Sequence, residues 1–154
     1  KGHIAVVTND LNKVNVGNLI DKKARSPLNK IKLDYGHGTG HGVGFFSNVH
    51  EGPQSISKYN SIPLKEGMIV SNEPGYYEEG KFGIRIENLI YIKKERNKLK
   101  FENLTMAPID KDLINFKLLN SKEKEYLLKY NLDIYNHISP YLSKNEKNWL
   151  INLI

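Results

Sequence analysis

Three of the chain's five histidines and six of its twelve glycines fall within nineteen residues, "YGHGTGHGVGFFSNVHEGP", from Tyr35 to Pro53. Imidazole is the commonest protein ligand of transition metals and the side chain best suited to move protons near neutral pH. The glycines at 36, 38, 40, 42 and 44 occupy every second position. In a helix those five would cost about 4 to 5 kcal/mol relative to alanine, so extended backbone is predicted. His37, Thr39, His41 and Val43 then project from one face, and the other face is bare enough for a second backbone to approach closely. The Cα atoms of His37 and His41 would lie roughly 13 Å apart, which predicts one metal ligand and one neighbour unless the chain bends. A glycine-rich turn carrying solvated histidines is the plainer alternative.

Two glutamates bear on that choice. In "IVSNEP" an extended chain puts Ile69, Ser71 and Glu73 on one face. In "GIRIENLIYI" it puts Arg85 and Glu87 on one face and Ile84, Ile86, Ile90 and Ile92 on the other. A carboxylate inside an apolar strand is costly unless it is paired or bound to a cation. Together with a histidine-bearing strand, the two predict a divalent-metal site of mainly oxygen ligands and one imidazole. Such a set suits Mn²⁺ better than a structural Zn²⁺, with Co²⁺, Zn²⁺ and Fe²⁺ also compatible. An ion pair with Arg85, or exposure on an edge strand, would account for the same carboxylates without a metal.

The elements that must position these residues are readable from periodicity. Ile4, Val7, Leu11 and Val14, spaced by three and four, predict an amphipathic helix that begins without an evident cap. Gly17 to Asn29 reads as helical until Pro27. "EGMIVSNEPGYY" and "FGIRIENLIYI" read as strands joined through "YYEEGKFG", and "KLKFENLTMAPI" as a further strand. From Ser121 onward two helices are predicted with a break near Pro140, Ser121 and Lys124 opening the first in a near capping box. The chain is therefore expected to be α+β, with residues 1–120 forming one portion and residues 121–154 a helical extension.

Composition narrows the function classes. The 154 residues, 39% of them hydrophobic, suffice for one domain or a piece of one. No apolar run is long enough to span a bilayer, so no membrane partner is expected. The net charge of +6 comes from lysines interleaved with acids, as in "KKERNKLKFEN", which is a solvated surface and not a nucleic-acid-binding stripe. The absence of cysteine excludes disulfides, thiolate zinc sites and cysteine nucleophiles, and fits a reducing, cytoplasmic setting. "GYYEEGKF" matches a phosphate-binding loop until Phe82 stands where the hydroxyl is needed, and "HEGPQ" has Gln54 where a second zinc-binding histidine would be. His3 and His137 are expected on the surface or in helix packing. Trp149, Leu150, Ile151, Leu153 and Ile154 are expected to pack the tail onto the domain or a second subunit.

"GHGTGHGVG…NVHEGP", "EGMIVSNEPGYY" and "FGIRIENL", in that order, resemble the catalytic domain of the Xaa-Pro aminopeptidases, most closely the eukaryotic three-domain type. The resemblance runs from "KGHIA" to about Pro108 and continues more weakly into the tail. It implies the C-terminal part of a pita-bread fold, with a curved, mostly antiparallel sheet, flanking helices and a helical tail. It further implies a metal-dependent aminopeptidase that hydrolyses the bond before a second-position proline by means of a metal-bridging hydroxide. By the same resemblance His41, Glu73 and Glu87 are metal ligands of a two-metal site, Glu73 is also the general base, and His37 and His50 are catalytic histidines beside the metals. His37, Tyr77 and Arg85 contact the substrate, and the enzyme is a homodimer.

That family's site needs five protein ligands, and its two aspartates come from a hairpin upstream of the segment that "KGHIA" begins. Asp10 and Asp21 have the right separation but lie in a helical pattern, and they are read as a coincidence. The N-terminal remainder of a longer polypeptide is thus an expected partner. A prolidase-like dipeptidase of the same fold and a non-catalytic pita-bread binding module are the alternative functions.

Overall fold

The computed structural model describes residues 1–46 and 48–154. They form two compact units, Lys1–Thr105 and Met106–Ile154, so contacts group residues 106–120 with the terminal helices.

Helix α1 spans Gly2–Val7 and α2 Gly17–Asn29. The strands are β1 Gly40–His41, β2 Ser55–Ile56, β3 Ile69–Asn72, β4 Gly75–Glu78, β5 Phe82–Arg85, β6 Asn88–Glu95 and β7 Lys98–Asn103. Every strand pairing among the described residues is antiparallel: β1 with β2, β3 with β6 and β6 with β7, and β4 with β5. The β6–β7 hairpin turns through Arg96 and Asn97, both with positive φ (47° and 64°), the turn geometry that matches the twist of its strands. The core joins Val6 and Leu11 to Ile20 and Ala24 of α2 and to Val70, Ile90, Ile92 and Phe101 of the three-stranded sheet.

Three sequence expectations need correcting in this unit. The helix predicted to run from Ile4 through Val14 ends at Val7. There the Thr8 hydroxyl donates to the Ile4 carbonyl (2.6 Å), Asp10 accepts from the Asn12 N–H (3.0 Å) and the Asn9 amide donates to the Val14 carbonyl (2.7 Å). Short polar side chains that bond to nearby backbone offer the chain an alternative to helix, and Leu11 reaches the core from a turn instead. Helix α2 continues past Pro27 to Asn29, because a proline in the final turn removes only one ladder bond. Each of the two long predicted strands is split, at Glu73–Pro74 and at Ile86–Glu87, so neither glutamate lies inside an apolar strand. Ile84, placed with the core isoleucines by alternation, is 45% exposed. The segment that matched a phosphate-binding loop is the β4–β5 hairpin.

In the second unit, α3 spans Ser121–Ile138 and α4 Lys144–Leu153, with a short 3₁₀ turn, Ser139–Tyr141, at the expected break. The cap of α3 is Asn120, one residue earlier than predicted, and it forms a complete capping box with Glu123; Ser143 and Glu146 do the same for α4. Tyr130, Ile134 and Leu150 make a small core. Of the apolar tail residues only Leu150 is buried, while Trp149 is 63% exposed.

The bare glycine face is used as expected. A Cβ on Gly40 would stand 1.9 Å from the Ser71 carbonyl oxygen, and one on Gly42 2.0 Å from that of Glu51. Gly40→Ala is therefore expected to destabilise the unit by about 1 to 3 kcal/mol, measured by urea unfolding.

His3, on α1, is helix-packing and fully buried beside the backbone of Asn72 and Ile86, and neither ring nitrogen makes a hydrogen bond of ordinary geometry. Burial pulls its pKa down from 6.5 to about 4. The unfolded chain therefore binds a proton that the folded one refuses, so this contribution is complete above pH 6.5 and is lost as pH falls toward 4. Unfolding at about pH 7.5 and about pH 4.5 should show a loss of about 2 to 3 kcal/mol that His3→Gln removes.

Candidate metal centre

The site is assembled where the glycine-rich segment crosses the end of β3. The His41 N–H donates to the Ser71 hydroxyl oxygen (2.9 Å), the Ser71 hydroxyl donates to Glu73 Oε1 (2.7 Å), and the Glu73 N–H donates to the Thr39 carbonyl (2.7 Å). One serine thus ties the backbone of the histidine to the carboxylate. Regular strand is limited to Gly40–His41, and residues 36–39 bend, so the predicted common face breaks up. Thr39 is fully buried, and His37 and His41 are both half-buried.

His41 Nδ1 lies 3.0 Å from the Gly42 carbonyl, which can only accept, so Nδ1 carries the proton. In the neutral ring this turns the lone pair of Nε2 toward Glu73 Oε1, 3.4 Å away. A lone pair facing a carboxylate oxygen is repulsive unless a proton or a metal cation lies between them. Glu87, exposed at the β5–β6 break, completes a group: His41, Glu73 and Glu87 each offer one ligand atom, and these atoms lie within 4.8 Å of one another. A single imidazole nitrogen with two carboxylates is a donor set that fits a divalent cation such as manganese. Glu73 Oε2 also lies 3.5 Å from Arg85 Nη1, so the ion pair foreseen as an alternative is present beside the metal-ligand geometry.

A second group adjoins the first. His37 Nδ1 donates to the Gly38 carbonyl (2.7 Å), so in the neutral ring Nε2 accepts from the Tyr77 hydroxyl (2.8 Å), which in turn accepts from Arg85 Nε (2.9 Å). The Tyr77 hydrogen bond, ahead of the Glu73 and Glu87 charges, raises the Arg85 guanidinium pKa. Tyr77 needs glycine around its ring, since a Cβ on Gly75 would meet its hydroxyl at 2.5 Å and one on Gly83 its Cδ1 at 2.7 Å. His50 is exposed, with its ring centroid 4.0 Å from that of His41.

The structure thus brings together His37, His41, Glu73, Tyr77, Arg85 and Glu87, with His50 against His41, and leaves Asp10 and Asp21 out of the group. Asp21 pairs with Arg25 in α2. Two groove surfaces, one of about 680 Å³ including Asp10, Asn12 and Arg96 and one of about 620 Å³ including Leu19, Lys22 and Ser26, contain none of the cluster residues. Sequence reasoning misses the linking roles of Ser71 and Thr39. Ser71 is visible on the Glu73 face, but a backbone carbonyl such as that of Thr39 leaves no mark on the sequence.

The profile of metallopeptidase family M24 matches residues 4–94, and that of the C-terminal region of the same peptidases matches residues 97–153. The chain belongs to metallopeptidase family M24. It is 45% identical to a probable Xaa-Pro aminopeptidase P of Laccaria bicolor and 46% identical to aminopeptidase P2 of Arabidopsis thaliana, covering 97% and 99% of this chain. It spans about a quarter of the length of these relatives, 25% and 23%. The X-prolyl aminopeptidase of Caenorhabditis elegans, described as a cytosolic enzyme with a di-nuclear active site, superposes with a TM-score of 0.87 at 32% identity over 99% of this chain and 26% of that one. The prolidase of Pyrococcus furiosus gives 0.60 at 28% identity over 70% and 30%. The architecture is therefore the expected α+β part of a pita-bread fold.

Replacing a ligand while keeping its shape separates the metal reading from the ion pair. In the full-length protein, Glu87→Gln is expected to lower Mn²⁺ affinity at least tenfold by titration calorimetry with the fold retained, since even the groups that hydrogen-bond a metal's ligands are worth about that much.

Proposed function

We propose that this chain carries the metal-binding half of the active site of an aminopeptidase that removes an N-terminal residue from peptides with proline second. The observation behind it is the His41 Nε2 lone pair aimed at Glu73 within a His41, Glu73 and Glu87 cluster, flanked by the His37, Tyr77 and Arg85 chain. The relatives named Xaa-Pro aminopeptidase, and the C. elegans enzyme matched over nearly the whole chain, support the substrate class.

Three donors suit one ion. The two divalent ions of this reading, taken as Mn²⁺, need further ligands, which we assign to aspartates in the N-terminal remainder of the protein. When bound, such ions activate water as a nucleophile and polarise the scissile carbonyl. Glu73 takes the proton from the attacking water on a carboxylate oxygen. Its orientation comes from the Ser71 hydroxyl and from its own N–H on Thr39. His37 and His50 stand at the rim to bond substrate oxygens; His37 Nε2, an acceptor in the neutral ring, donates there only after the ring takes up a proton. Tyr77 and Arg85 line the place for the proline ring. Proline makes a tertiary amide with no N–H, so a site shaped for it selects a distinct class of peptide.

A prolidase-like dipeptidase is the second reading, favoured by the P. furiosus likeness but over less of the chain. A non-catalytic binding module would have no need of the complete His41, Glu73 and Glu87 cluster. No helix among the described residues is long and apolar enough to cross a membrane. The C. elegans relative, described as cytosolic, is what supports a cytosolic setting. Homodimerisation rests on the resemblance alone and is read by light scattering.

The full-length protein with Mn²⁺ should release alanine from Ala-Pro-Ala and leave Ala-Ala-Ala intact. Cleavage of the dipeptide Ala-Pro alone would establish the prolidase reading, and no cleavage of either would overturn both. Glu73→Gln should lower kcat by about 10²- to 10⁴-fold, the usual worth of a general base.

A further inference from the structure

Helix α2 carries a guanidinium that this reaction does not use. Arg25 is only 3% exposed, and its planar fork reaches four acceptors. Nε donates to Asp21 Oδ2 (2.7 Å), Nη1 to Asp34 Oδ1 and to the Tyr35 carbonyl (both 2.7 Å), and Nη2 to the His37 carbonyl (2.6 Å). Its Cζ stands 4.0 Å from the centroid of the Tyr35 ring, and that ring lies 4.9 Å from the His37 imidazole. The second Asp21 oxygen accepts from the Thr39 hydroxyl (2.6 Å), with the Tyr35 hydroxyl 2.5 Å from the same threonine oxygen.

The acceptors are consecutive in purpose. They hold the chain at Asp34, Tyr35, His37 and Thr39, on both sides of the histidine. Local backbone does not do this, because His37 is flanked by two uncrowded glycines. A Cβ added to Gly36 would meet nothing within 4 Å, and one added to Gly38 would make its nearest contact at an ordinary 3.4 Å. These glycines are not forced by crowding, and they give the backbone on either side of residue 37 the widest conformational freedom a chain can have. Stability alone is a weak reason for the arrangement, since a buried ion pair can often be replaced by packed apolar residues without loss. A rigid fork that ends on the carbonyl lying between two such glycines is a reason specific to His37.

We propose that Arg25, anchored by Asp21 and Asp34, is a positioning residue for His37: it fixes the backbone at residue 37 so that the imidazole keeps Nδ1 on the Gly38 carbonyl and Nε2 toward Tyr77 and the substrate. The proposal rests on the reading of His37 as a group that contacts the substrate. Lysine cannot replace the fork, because a single ammonium does not span acceptors on Asp21, Asp34 and His37 together.

The test is a double-mutant cycle in the full-length, Mn²⁺-loaded protein. Arg25→Lys should lower kcat on Ala-Pro-Ala by about 100-fold, the effect of an ångström-scale misplacement. In a His37→Ala background the same substitution should cost less than about threefold, because the residue it positions is gone. Asp34→Asn, at a half-exposed position that leaves folding intact, should give a smaller loss that His37→Ala also erases. Losses that multiply in the double variants would overturn the proposal. Side-chain ¹⁵N spectra of His37 give a readout that does not need the peptidase activity. The native chain should show one tautomer, protonated at Nδ1, and Arg25→Lys should shift the two nitrogens toward averaged values. An unchanged single tautomer would overturn the positioning role even if the activity reading stands, whereas absent peptidase activity with a disturbed tautomer would leave the positioning intact and overturn only the reaction.

Discussion

Everything at this site depends on one close approach, that of the glycine-rich segment to the Ser71–Glu73 end of β3. With only a hydrogen on Gly40, the two backbones come near enough for the Glu73 N–H to reach the Thr39 carbonyl and for the His41 N–H to reach the Ser71 hydroxyl. A methyl group would meet the Ser71 carbonyl oxygen at 1.9 Å. The contact fixes an imidazole and a carboxylate from distant parts of the chain through their backbone N–H groups, which leaves His41 Nε2 and the remaining carboxylate lone pairs for chemistry.

The electrostatics follow from how the spare atoms are satisfied. Both His37 and His41 give their Nδ1 proton to the carbonyl of the next residue, a glycine in each case. The two rings therefore present the same nitrogen, Nε2, outward, but to different partners: a carboxylate for His41 and a tyrosine hydroxyl backed by a guanidinium for His37. One imidazole is poised for a cation and the other for a hydrogen bond. The repeating Gly-His-Gly pattern supplies both, and the neighbours divide the labour. Behind these two rings, the Lys58 and Arg25 hydrogen bonds to Asp34 outweigh its partial burial and hold its pKa down at about 2, so the acid that helps anchor Arg25 stays ionised across the working range.

Much of this is legible in the sequence, and the failures have physical causes. The alternating glycines announce a bare face, and Glu73 and Glu87 announce a carboxylate cluster with His41, because both signals depend on residue type. An apolar strand is the wrong setting for the two glutamates, since each sits where a strand ends, Glu73 before Pro74 and Glu87 beside Ile86. Alternation cannot reveal a break that costs no change in pattern. The helix expected to reach Val14 stops at Val7 because Thr8, Asp10 and Asn9 bond to backbone, a competition that apolar spacing does not register. Arg25 and Asp21 are readable as an i, i+4 pair, but nothing in that spacing tells that the fork also reaches residues 34 to 37.

The central claim is that His41, Glu73 and Glu87 ligate a divalent cation through His41 Nε2 and the two carboxylates. Anomalous diffraction at the manganese edge from crystals of the full-length protein tests it most directly. The account predicts a manganese peak in direct contact with all three side chains, with His41 Nδ1 still on the Gly42 carbonyl. Manganese bound elsewhere, with Glu73 paired to Arg85 and His41 unliganded in the presence of saturating metal, would contradict it.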